Sequence, residues 1–398
     1  MNKKTLNATL STFTLLGLLV HGSLCADEPL GIVKEKPTSG RFVKIESGYM
    51  VPYKTKIPGS DVEFEMVPIP GGEYLMGSPD GEEGRSKNEG PQIKVRVKPF
   101  WMGKHEVTWK EYMEYMGLDD KFKAFEAANI RLVTKENAID AISAPSGLYE
   151  PEHTFEKGDG PDQPAVTMTQ YAARQYTKWL SKTSGSFFRL PTGAEWEYAC
   201  RAGTKTAYHF GDDASKLDDY AWYSENSDDE RKDVGQKKPN PWGLYDMHGS
   251  AAEWVIDTDS EDGYAAWKDK TIDADKDIRW PKTLNNQIVR GGSFELDAEE
   301  CRSASFMTTE EEDWKDYDPN IPLSPWWFTT EPATGVGMRI IRPLDAPKDA
   351  VAQEKFWGPD VEESQLNTEQ RIKANGRGSY GIVDKDLPKA IQELKSKK

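Results

Sequence analysis

A chain of 398 residues can hold one large domain or two ordinary ones, and its 13 Trp, 16 Tyr and 14 Phe supply the apolar area for a true core rather than a disordered polymer. Its 67 acidic against 51 basic residues give a formal charge of −16. That balance excludes nucleic acid and an anionic membrane surface as partners.

Lys3 and Lys4 precede an apolar run of about a dozen residues, followed by Ser23-Leu24-Cys25-Ala26, which is the layout of a signal peptide over residues 1–26. The run is too short to span a bilayer. The mature chain is therefore expected to be exported: periplasmic, cell-surface or secreted. A lipid anchor on Cys25 is the competing reading, and Leu24 is a poor match to the small residue it requires. No later stretch is long and apolar enough to form a transmembrane segment. Of the remaining cysteines, Cys200 and Cys301 form either a disulfide, as is common outside the cytoplasm, or two free thiols.

Residues 27–60 carry Pro, Gly and Lys without apolar periodicity and read as an extended lead-in. From Asp61 the pattern changes. Val62, Phe64 and Met66 alternate with acidic residues as in a half-buried strand, Pro70-Gly71-Gly72 turns the chain, and a second strand starts at Tyr74. Alternation returns at Ile93, Val95 and Val97. Thr108 and Glu111 are spaced as a capping box before a short helix, and Thr192 and Glu195 repeat that signature. Between them, residues 117–160 are weakly patterned, and residues 169–184 read as a helix with Ala172, Tyr176, Trp179 and Leu180 on one face. From 201 to 259 turn residues and aromatics replace periodicity. A strand is expected before Arg290-Gly291-Gly292-Ser293, and a last one at Gly337-Met338-Arg339-Ile340-Ile341. The Trp314, Trp326 and Trp327 loop is either core or an exposed partner-binding surface. Residues 344–398 read as a charged, peripheral tail.

Several of these stretches, in this order, resemble the formylglycine-generating enzymes, also called sulfatase-modifying factors. The matching pieces are Met66-Val67-Pro68-Ile69-Pro70-Gly71-Gly72 with Met76-Gly77-Ser78, then Glu106-Val107-Thr108, and Arg189-Leu190-Pro191-Thr192 with Glu195-Trp196-Glu197-Tyr198-Ala199. They continue through Asn240, Trp242-Gly243-Leu244-Tyr245-Asp246, Glu253-Trp254, Arg290 to Ser293, and Gly337 with Arg339. The resemblance covers residues 61–343. It implies one α+β domain of the irregular, loop-rich, C-type-lectin-related fold, with short helices around small twisted sheets. It also implies bound calcium and, in active members, a copper-dependent oxidation of a sulfatase cysteine to formylglycine.

The family's calcium turn maps onto the side chains of Asp246 and Glu253 and the carbonyls of Gly249 and Ala251, a set of hard oxygens on one side of a tight turn. The family's other calcium site begins with Asn where this chain has Trp222, and it is not carried over. In shorter relatives the cysteine matching Cys301 bridges to the one matching Cys200, and that disulfide is expected here. Active members need two thiolates after the Arg-Gly-Gly-Ser turn to hold a soft cuprous ion. The first position is Leu296, so no copper is expected. The five histidines show no ligand spacing along the chain, and His248 reads as a packing residue. Two functions stand. One is an exported binding or scaffold module for a protein, peptide or glycan, lacking cysteine oxidase activity. The alternative is an active copper-dependent oxidase acting on a sulfatase cysteine. Whether the chain is an enzyme stays open at this point.

Overall fold

The computed structural model describes residues 29–148, 151–315, 324–358 and 361–396. The signal peptide and Cys25 lie outside the described residues. Among the described residues, no helix is long and apolar enough to cross a membrane.

Strands of two to seven residues form five small sheets among the described residues. The alternation at Phe64 and Met66 becomes the strand Glu63–Ile69, which pairs antiparallel with Tyr53–Lys56 on one side and Phe100–Gly103 on the other; Ile341–Pro343 completes that sheet. Gly72–Met76 and Ile93–Val97 pair antiparallel, and Thr271–Asp273 adds in parallel. The sheet that carries the site centres on Ala252–Thr258, between Gln287–Arg290 and the short parallel strand Val336–Gly337. Both capping boxes form as the sequence predicts, at the starts of the helices Trp109–Met116 and Gly193–Arg201. The long helix is Gln170–Ser184, capped by the Thr169 side chain and ended by Gly185 in the left-handed conformation.

The main core surrounds that helix. Tyr176 and Trp179 pack against Tyr112 and Tyr115, and Trp254, Trp326, Trp327 and Trp314 join the same cluster. The Trp314, Trp326 and Trp327 side chains are buried, so these three tryptophans are core and not an exposed aromatic surface. A second cluster lies between the helix Gly193–Arg201 and the strands at 67–76 and 93–102.

Three segments depart from the sequence expectation. Residues 29–60 are not merely extended: Ile32–Val33, Val43–Ile45 and Gly48–Met50 form a three-stranded sheet, and Tyr53–Lys56 joins the next one. Strands this short leave no readable period. The weakly patterned insertion buries Leu118, Phe122 and Phe125 from the helix Leu118–Ala127. Residues 344–398 are not a peripheral tail. Ser379–Ile382 pairs with Ala141–Ala144 from the insertion, and Trp357, Val383 and Leu387 are buried. Two segments that look polar separately fold against each other, and neither shows its partner in the local sequence.

Candidate functional site

The turn 246–253 is held from below by one arginine. Arg339 is fully buried and its guanidinium reaches Glu253 Oε1 from Nη2 at 2.7 Å and from Nε at 2.8 Å, and Oε2 from Nε at 3.0 Å. Its remaining N–H groups donate to the carbonyls of Gly103 and Tyr245, both at 2.9 Å. Trp196 Nε1 donates to Glu253 Oε2 at 2.6 Å. One side chain thereby satisfies three loops that have no sheet ladder between them, which is what a planar five-donor group does in an irregular fold. Arg189 repeats the device with two 2.7 Å bonds to Glu195, and Arg290 lies 3.3 Å from Glu197 and donates to Tyr264 Oη at 3.0 Å.

The four residues expected to hold calcium differ in how free they are. Both Glu253 oxygens already accept two donors each, so its lone pairs are committed. Asp246 adopts a left-handed φ of 61° and accepts the Gly235 N–H at 2.7 Å through Oδ2, while Oδ1 is buried without a hydrogen-bond partner. Burial pushes its carboxyl up to about 6 against the pull of the Gly235 N–H. Gly249 cannot carry a side chain, because at φ 152° a Cβ would sit 2.3 Å from the Trp222 carbonyl oxygen. A partnerless Asp246 oxygen fits a cation, and the saturated Glu253 does not fit a direct ligand. Among the described residues no group of three or more His, Cys, Asp or Glu side chains is arranged to hold a metal ion.

The thiols lie on the other side of the turn. Cys200 and Cys301 are both buried and both free, so the expected disulfide is not formed in the structure. Cys200 donates to the Met247 carbonyl at 3.4 Å, and its Sγ lies 3.7 Å from His248 Nε2. Burial pushes the Cys200 thiol up to about 12 and raises Cys301 too, so both are protonated and neither is a ready metal ligand. The Cys301 sulfur fills the place a side chain on Gly292 would occupy: a Cβ there would meet Sγ at 2.5 Å, and φ is 70°. Leu296, the position that the resemblance matches to the first thiol, accepts the Ser224 N–H on its carbonyl at 3.0 Å and offers no sulfur. The residues present therefore do not fit a two-thiolate copper centre.

Sequence spacing missed a histidine pair. His248 Nδ1 donates to the Cys301 carbonyl at 2.8 Å, and its Nε2 lies 3.0 Å from His209 Nδ1 and accepts the His209 backbone N–H at 3.2 Å. The carbonyl fixes the tautomer of His248, which makes His209 Nδ1 the donor to it. The two rings stack at 5.0 Å, and burial lowers His209 to about 4. Thirty-nine residues separate the pair in sequence, and only the fold brings them together.

Beside Leu296 opens a groove of about 870 Å³ lined by Glu82, Glu83, Asp212, Glu225, Asp297 and Glu299, with Lys205 and Arg302 as its basic residues. Arg302 is held by Glu82 at 2.5 Å and Glu89 at 2.7 Å, which leaves the groove acidic.

A family profile described as the sulfatase-modifying factor enzyme 1-like domain matches residues 56–317. The chaperone protein LppX of Paenibacillus barcinonensis is 31% identical over 231 residues, covering 53% of this chain and 80% of that protein. The formylglycine-generating enzyme of Thermomonospora curvata is 27% identical, with 58% of this chain and 82% of the enzyme covered. The mouse inactive C-alpha-formylglycine-generating enzyme 2 is 28% identical, with 48% and 68% covered. The chain spans less of two chlamydial serine/threonine-protein kinases named pkn1 that it also matches, 39% and 32% of their length. Among solved structures, PvdO from Pseudomonas aeruginosa is similar with a TM-score of 0.51 at 27% identity, over 73% of this chain and all of PvdO. Small sheets, short capped helices and buried arginine pins thus define an irregular α+β domain of the formylglycine-generating-enzyme type. The chain belongs to the sulfatase-modifying factor enzyme 1-like family.

Proposed function

We propose that this chain is an exported, non-oxidising binding module whose acidic groove beside Leu296 receives a basic segment of a partner protein or peptide. Leu296 carries the reading: it puts an alkyl group where the family's oxidation needs a thiolate, and the remaining thiols are buried and protonated. The six carboxylates of the groove favour a cationic partner over a neutral glycan. Within the family, one relative is named a chaperone and another inactive, so loss of oxidation on this scaffold has company. The Lys3 and Lys4 leader supports export. The test combines two assays. Incubated with copper, oxygen and a sulfatase-motif cysteine peptide, the protein is expected to consume no oxygen and leave the peptide mass unchanged. A lysine-rich peptide is expected to bind, and Asp297→Asn with Glu299→Gln to weaken it about tenfold. Formylglycine production that disappears in Cys301→Ser would establish the oxidase instead.

We further propose that the turn holds calcium through Asp246 Oδ1 and the Gly249 and Ala251 carbonyls, with Glu253 supplying charge through its neighbours rather than a lone pair. The partnerless Asp246 oxygen supports this. Removal of calcium by a chelator is expected to lower Tm in the native protein and to leave Asp246→Asn unchanged. An identical Tm with and without chelator in the native protein rules the site out.

A further inference from the structure

A calcium ion held by Asp246 Oδ1 and the Gly249 and Ala251 carbonyls would have one charged ligand, because both Glu253 oxygens are taken up by Arg339 and Trp196. Calcium gathers about six to eight oxygens, and the number of carboxylates among them sets how tightly it is held. A second carboxylate stands at the same turn on a different element. Glu106 follows the strand Phe100–Gly103, and its Oε1 accepts the Ala251 N–H at 3.4 Å. Its Oε2 accepts from Arg339 Nη2 at 3.4 Å. Both contacts are longer than an ordinary N–H···O bond, on a carboxylate that can take about four.

Asp246 Oδ1 is the independent sign of a ligand. Glu106 and Asp246 are each 2% exposed, and their carboxyls lie within hydrogen-bond reach of one another. Oδ1 of Asp246 is buried and has no hydrogen-bond donor among the described residues. Two buried acceptors in contact cost free energy unless a proton or a cation lies between them. Charge separates those two cases. Arg339 is the guanidinium that faces Glu106, Asp246 and Glu253 together, so one positive charge meets three negative ones. The excess of two is the charge of one divalent cation, whereas a shared proton removes only one. Glu106 also lines a cavity of about 530 Å³ with Gly103, His105 and Val107, which gives an ion a route from solvent. No third His, Cys, Asp or Glu side chain completes a metal cluster among the described residues, and the carbonyls of the tight turn and solvent supply the other oxygens.

We propose that Glu106, and not Glu253, is the second carboxylate ligand of the calcium ion, facing Asp246 across it. The inference rests on the calcium site proposed above, and the two are tested separately. Glu253 keeps its bonds to Arg339 and Trp196 and holds the turn in shape around the ion.

Calorimetric titration of the full, chelator-treated protein with calcium is expected to show one site in the native protein and none in Asp246→Asn. Glu106→Gln is expected to bind calcium about tenfold more weakly or worse. Glu106→Asp keeps the charge opposite Arg339 but withdraws it by one methylene, and is expected to weaken binding less. Terbium in place of calcium, excited through the nearby Trp196 and Trp222, counts the bound waters from its decay in light and heavy water. Glu106→Gln is expected to gain about one water where the carboxylate left. Native affinity in Glu106→Gln, or in Glu106→Asp where the amide variant does not fold, overturns the proposal and leaves the calcium site standing. Weaker binding without an added water overturns it too, because Glu106 would then only position the turn. Absence of calcium binding in the native protein overturns the site and the ligand together.

Discussion

Arg339 and Glu253 illustrate how one residue pair can replace a sheet ladder. The pair is fully buried, and Arg339 also closes the Gly103 and Tyr245 carbonyls, so removing either partner strands charge in the interior. Glu253→Gln is expected to cost about 3–5 kcal/mol, the range for breaking a buried ion pair on one side. A urea midpoint shift at unchanged m-value reads it, and a loss below about 1 kcal/mol would mean that the pair is not what holds the turn. The thiols give a second prediction at this scale. With Cys200 and Cys301 free and buried, a chromogenic disulfide reagent is expected to find neither of them in the native protein cleaved after Ala26 and both after denaturation without reductant. None after denaturation would mean that the bridge implied by the family forms in solution.

Among the elements, the helix Ala350–Trp357 behaves as a brace for Gln170–Ser184. Arg174 donates to the Phe356 and Lys355 carbonyls at 2.9 and 2.8 Å, Gln175 to the Trp357 carbonyl at 2.9 Å, and Trp357 Nε1 to the Phe188 carbonyl at 2.8 Å. Trp357→Ala opens a cavity and removes one of the two donors to the Phe188 carbonyl, which keeps Ser181 Oγ at 3.0 Å, and is expected to cost about 3–5 kcal/mol. Truncation after Pro343 should be worse, because it also strips the strand Ser379–Ile382 from Ala141–Ala144; an unchanged Tm in that truncation would return these residues to the status of a tail. The contrast shows where the sequence was legible. Thr108 with Glu111 and Thr192 with Glu195 act within one helical turn, so their spacing announced both helices. The motifs from Met66 to Arg339 announced the fold, because each is a local turn or cap with its own residue signature. The contacts that could not be read are non-local: Arg339 to Glu253 across 86 residues, His209 to His248 across 39, and the C-terminal brace across more than 160. The acidic groove was equally hidden, since its carboxylates come from four separate loops with no shared period.

On the scale of the whole molecule, buried titratable groups of opposite kinds set the pH range of stability. Burial raises Glu111 to about 7 from an ordinary carboxyl value of 4.5, against hydrogen bonds from Thr108 and the charge of Lys110. The unfolded chain releases that proton near 4.5 and the folded one near 7. The folded state therefore holds the extra proton between them, and stability falls as pH rises through that window. Burial lowers His105 to about 3 and His209 to about 4, both from 6.5. For these groups the unfolded chain binds the extra proton, so stability is present above 6.5 and is lost as pH falls towards the folded values. The two kinds of group oppose each other in the mildly acid range: burial also raises Asp246 to about 6 and raises Glu106, which adds to the Glu111 loss, and it lowers His248, which adds to the other histidines. Glu111→Gln should remove the Glu111 part of the fall between about 4.5 and 7 and exceed the native protein by about 2–3 kcal/mol above pH 8, converging with it at pH 4. His209→Asn, which keeps a donor towards His248, should flatten the acid limb instead. Chemical denaturation of the three proteins across pH checks both slopes, and a Glu111→Gln profile parallel to the native one would show that this carboxyl ionises normally in the fold.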